Sequence, residues 1–120
     1  MSERPLIEDP RRQQVLSLKD ETRFVPKGIV SRTVFGSPNA RMVLFGFDAG
    51  QELTEHTSSR PAMVQILSGN CEFMLADEWK QLREGDLVYM PPGLRHAVKA
   101  TSSMSMLLTF FNASEIPASK

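Results

Sequence analysis

Apolar residues along this chain recur in short runs broken by turn-forming residues, and almost no stretch carries the 3.6-residue period of an amphipathic helix. Nine runs stand out: 14–18 (QVLSL), 28–36 (GIVSRTVFG), 40–50 (ARMVLFGFDAG), 62–69 (AMVQILSG), 71–76 (CEFMLA), 79–83 (WKQLR), 86–90 (DLVYM), 95–100 (RHAVKA) and 105–111 (SMLLTFF). The separators SPNA, SGN, ADE, REGD and PPG have the chemistry of hairpin turns. Strands of this length at close spacing predict an all-β antiparallel sandwich or barrel, since the gaps leave no room for crossover helices.

Alternation within the runs assigns faces. In RHAVKA, Arg95, Ala97 and Lys99 share one face, and His96, Val98 and Ala100 the other, so His96 is expected to point inward. In CEFMLA, Cys71, Phe73 and Leu75 oppose Glu72 and Met74, which makes Cys71 a small buried hydrophobe. Gln65 is expected to face away from the interior. The last run is apolar on both faces, Met104, Met106, Leu108 and Phe110 against Leu107 and Phe111, and a doubly buried strand in so small a domain predicts a subunit interface.

Length and charge narrow the function classes. The 120 residues fit one domain with a real core. We divide them into a flexible N-terminal arm (1–12, interrupted by Pro5 and Pro10), a barrel domain (13–112) and a C-terminal tail (113–120). Fourteen basic and fourteen acidic side chains cancel, so nothing points to nucleic acid. No apolar run approaches the ~18 residues of a membrane span, no secretory leader is visible, and the single cysteine excludes an internal disulfide. The expected setting is the cytoplasm, without a membrane partner. No Ser-His-Asp arrangement, phosphate-binding loop or dinucleotide fingerprint is present.

The candidate chemistry gathers around the chain's two histidines. The stretch GDLVYMPPGLRH (85–96) has Gly85, Pro91, Gly93 and His96 in the spacing G-x5-P-x-G-x2-H. Upstream, Gly50, His56 and Gly69 fit the frame G-x5-H-x-H-x3,4-E-x6-G, but Ser58 stands at its second histidine and Ala62 or Met63 at its glutamate. These two stretches resemble the two signature motifs of the cupin superfamily, with the first of them degenerate. The resemblance implies a double-stranded β-helix (jelly-roll) barrel, commonly a homodimer. It also implies a site in the barrel mouth where histidines and a carboxylate hold iron, manganese, nickel or zinc.

With half of that ligand set replaced, His56 and His96 are the metal candidates, and His56, Ser58, His96 and Tyr89 the candidates for contacting a small-molecule ligand. Simple alternation puts Glu52 on the His56 face, as a candidate to complete a metal shell, and Glu55 on the opposite face. Ser58, preceding Ser59-Arg60-Pro61, also reads as turn chemistry, and Tyr89 as a half-buried strand aromatic. Three function classes follow: a barrel that binds a small molecule, with a weakly held divalent metal as an option; a metal-dependent dioxygenase, isomerase or lyase; and a metal-free structural dimer.

Overall fold

A computed structural model describes residues 4–118, so the first three residues of the expected arm and the last two of the expected tail lie outside the described residues. Nine strands follow in chain order: β1 (Ile29–Gly36), β2 (Ala40–Phe47), β3 (Glu52–His56), β4 (Ala62–Ser68), β5 (Asn70–Leu75), β6 (Glu78–Arg83), β7 (Leu87–Met90), β8 (His96–Ala100) and β9 (Met104–Phe111). They form two antiparallel sheets, one in the order β1-β2-β9-β4-β7 and the other β3-β8-β5-β6. This is the all-β antiparallel fold that the run lengths predict, in the jelly-roll form that the cupin resemblance implies.

The set of strands differs from the nine runs at two places. The run at 14–18 forms no strand: it leads into a single helical turn, α1 (Leu18–Glu21), whose N-cap Ser17 accepts a hydrogen bond from the Asp20 N–H. Conversely β3 has only one aliphatic residue, Leu53, in a polar sequence, and gave no apolar run of its own.

The core lies between the sheets. Phe47, Val64, Ile66, Phe73, Val98 and Met106 are among the side chains closed off completely there. Alternation works as expected in β5 and β8: Cys71 and Phe73 face the core, as do His96, Val98 and Ala100, while Lys99 stays exposed. Gln65 is exposed on the outer face of β4, as expected. Burial pushes the Cys71 thiol up to about 11, with a smaller contribution from Asp86, so at neutral pH it is a protonated filler and no nucleophile.

The doubly apolar β9 has an explanation within one chain. It is the middle strand of the larger sheet, and its second face is covered from outside by the N-terminal segment. Leu6, Ile7, Leu16 and Leu18 pack over Val34, Leu44 and Leu107 as a second, smaller cluster. The Leu6 and Ile7 N–H groups donate to the Thr33 and Val34 carbonyls at 3.0 and 2.9 Å, and the Gln14 side-chain amide donates to the Leu6 carbonyl. The stretch expected to be an arm is thus packed in this region, and the burial of Leu107 needs no second subunit. Gly46 permits the close approach, because a Cβ there would overlap the Arg23 carbonyl oxygen.

The four glycines shared by the two motifs, Gly50, Gly69, Gly85 and Gly93, all have positive φ, between 76° and 94°. At Gly69, in the tight turn from β4 to β5, a Cβ would also overlap the Ser103 carbonyl oxygen. Backbone geometry therefore accounts for the glycine positions of the motifs, whatever the side chains between them do.

Candidate functional site at the barrel mouth

His56 ends β3 and His96 begins β8, and the two are cross-strand partners. Their rings lie 4.1 Å apart between centroids, tilted by 61°. His96 is 7% exposed and His56 is exposed, so the pair runs from the top of the core to the rim.

A β-bulge sets this pairing. Leu53 pairs with Val98 and His56 with His96, so Thr54 and Glu55 together stand opposite the single residue Ala97. The extra residue resets the alternation: Leu53 packs against the core and His56 also faces inward, although they are three positions apart. Glu52 consequently points outward, paired with Lys99, which has Glu72 on its other side. The sequence expectation that Glu52 shares the His56 face is corrected by this bulge. Glu55 is on the outer side as expected, 3.5 Å from Arg95, which also holds Asp77 at 2.6 Å.

Each imidazole is oriented by backbone. The His56 Nδ1 lies 2.6 Å from the Thr54 carbonyl oxygen, and the His96 Nδ1 2.9 Å from that of Leu94. A carbonyl oxygen only accepts, so both Nδ1 atoms carry the proton and, in the neutral rings, both Nε2 atoms present a lone pair. Burial holds the His96 pKa below the ordinary 6.5, the Leu94 carbonyl raises it, and His56 adds a smaller lowering. At neutral pH His96 is therefore a neutral acceptor.

The other predicted contacts separate into two places. Ser58 follows His56 by two positions, half-buried in the β3–β4 loop; its Oγ accepts the Arg60 backbone N–H at 3.1 Å, and its carbonyl accepts the Gly93 N–H at 2.8 Å. This is turn chemistry, and the hydroxyl proton remains available. Tyr89 is not brought to the mouth. Val88 and Met90 fill the core from β7, which turns Leu87 and Tyr89 to the outer face. There Tyr89 lines a groove with Met63, Phe111 and Ile116.

A resident divalent metal needs more than this donor set supplies. Among the described residues, no group of three or more His, Cys, Asp or Glu side chains comes together as a metal site. Glu52 faces outward, Glu55 is engaged by Arg95, and the glutamate position of the motif is Ala62, which is buried in the core. Two imidazoles bring neither the negative charge nor the third ligand of typical protein sites, and the residues present do not fit a tightly held metal.

Comparison with known proteins agrees with the geometry. The family model described as "Cupin domain" matches residues 43–111. An uncharacterized protein of Aquifex aeolicus is 32% identical over 78 residues, 65% of this chain and 64% of the relative, so the match spans somewhat under two thirds of that protein. Among solved structures, a conserved protein of unknown function from Streptococcus pyogenes superposes with a TM-score of 0.79 at 33% identity, over 99% of this chain and 98% of the other. An RmlC-like cupin protein from Desulfovibrio desulfuricans gives 0.76 at 28% identity, over 83% and 97%. Among the described residues no helix is long and apolar enough to cross a membrane.

Proposed function

Because the chain belongs to the cupin family, we propose that it binds a small molecule in the mouth of its barrel, with His56 and His96 as orienting acceptors and without a tightly held metal. One observation carries the reading: both Nδ1 atoms are committed to backbone carbonyls, which leaves the Nε2 atoms of two adjacent rings available as acceptors. Two acceptors of this kind favour a ligand that offers hydrogen-bond donors, such as hydroxyl or amine groups. Ser58 adds a hydroxyl at the edge of the same site.

A second reading has the same observation in its favour. Metal-ligating histidines are oriented by just such Nδ1 contacts, so a metal held by His56, His96 and water is the rival, and with it a cupin-type dioxygenase, isomerase or lyase. The shortage of ligands weighs against it.

Elemental analysis of tag-free protein, beside a His56→Ala/His96→Ala variant, separates the two. We expect well under one equivalent of iron, manganese, nickel or zinc, even after incubation with excess metal. A thermal-shift screen of polyols, hydroxy acids and amines should then find ligands that stabilise the wild type and leave the variant unmoved. Near-stoichiometric metal that disappears in the variant would overturn the metal-free reading.

A further inference from the structure

A cleft of about 440 Å³ is lined by Ser37, Arg41, Ser58, Ser59, Arg60 and Phe110. It lies at the same end of the barrel as the histidine pair. Ser58 follows His56 by two positions, and Phe110 is the cross-strand partner of both Ala62 and Arg41. Two arginines line this space and no acidic residue does.

The polar groups are arranged to give protons. Arg60 donates through one Nη to the Pro38 carbonyl at 3.3 Å, which fixes its guanidinium across the gap to the β1–β2 hairpin and leaves its other N–H groups uncommitted. The Ser58 Oγ is occupied as an acceptor by the Arg60 N–H, so its own proton is free to donate. Ser37 is consumed by its hairpin, accepting from the Asn39 and Ala40 N–H groups. The available set is two arginines and the hydroxyls of Ser58 and Ser59, with an aromatic ring as the apolar wall.

We propose that this cleft is an oxyanion subsite, which takes the carboxylate or phosphate group of a ligand and packs its adjoining apolar part on Phe110. Planar guanidinium forks match these anions in a bidentate way, and charge-assisted hydrogen bonds are stronger than neutral ones. The inference rests on the mouth reading only for the rest of the ligand, which would reach toward His56 and His96; the anion site itself uses neither imidazole.

The test is an amide and arginine-side-chain NMR titration of the full chain, with inorganic phosphate and separately with benzoate, at constant ionic strength made up with chloride. Expected are saturable shifts centred on Ser58, Ser59, Arg60 and the Arg41 side chain, weakened at least tenfold in Arg41→Gln/Arg60→Gln and partly kept in Arg41→Lys/Arg60→Lys. Saturation by phosphate alone assigns the subsite to phosphate, and by benzoate alone to carboxylate. A His56→Gln/His96→Gln variant should keep the anion affinity, so failure of the imidazole reading leaves this result standing. Shifts that never saturate, that scatter over the surface, or that persist unchanged in the double glutamine variant overturn the proposal.

Discussion

His96 is the residue on which burial and chemistry act together. It is nearly closed off from solvent, and burial lowers its affinity for a proton in the native state. The unfolded chain therefore takes up the proton first as the pH falls. The stabilisation from this group is complete above the ordinary imidazole value of 6.5 and is lost as the pH drops through the lowered native value. We expect the melting temperature to fall over that window, and His96→Gln to flatten the fall. Equal slopes in wild type and His96→Gln would show that the buried imidazole is not the linked group. The direction of His96 was legible in the sequence, because RHAVKA sets two cations against a valine. Position 56 was not legible in the same way: the bulge at Thr54 and Glu55 shifts the register by one, and nothing in the residue types marks it. Tyr89 was ambiguous for another reason, since Leu87 and Tyr89 are as apolar as Val88 and Met90, so alternation offered two equal faces.

At the scale of elements, the N-terminal segment is the least predictable part and a consequential one. Its apolar residues are sparse and sit among prolines and charges, so the sequence alone gave it nothing to pack against. The receiving surface, formed by Val34, Leu44 and Leu107, exists only once β1, β2 and β9 are side by side. Leu6 and Ile7 are half-buried there, and truncating both side chains removes several partly buried methylenes. Leu6→Ala/Ile7→Ala should cost about 2 kcal/mol in total. Urea unfolding followed by fluorescence of the single tryptophan, Trp79, on the opposite sheet, reads this as a lower midpoint. An unchanged midpoint would mean that the segment lies on the sheet without stabilising it. The motif glycines are the opposite case: they were visible in the sequence because backbone geometry fixes them, joined only at Gly69 by the close approach of Ser103. Arg41 and Arg60 were missed because the cleft draws its residues from the β1–β2 hairpin, the β3–β4 loop and strands β2 and β9, far apart in sequence, and the only local hint was Ser58-Ser59-Arg60 just after the histidine strand.

Across the whole molecule, the covering of β9 moves the question of assembly to another surface. The homodimer expected from the sequence rested on the cupin resemblance and on the two apolar faces of β9, and the Leu107 side of β9 is filled by the same chain. The outer face of β4 and β7 is different. Leu87 is 60% exposed, Tyr89 48% and Met63 36%, with Ile116 beside them, and β7 is the last strand of its sheet. A contiguous apolar face next to an unpaired strand edge is costly to leave in water. The chain's balanced charge, fourteen of each sign, sets up no net repulsion between two copies meeting there. A dimer would therefore form through this face, on the wall opposite the core and away from the histidine pair. Analytical ultracentrifugation should show a dimer for the wild type and a monomer for Leu87→Glu/Tyr89→Glu, whose side chains fill no part of the core and whose fold should survive. A dimer that persists in the double variant would place the interface elsewhere. A monomeric wild type would remove self-association from the picture and leave the barrel mouth as the site that acts alone.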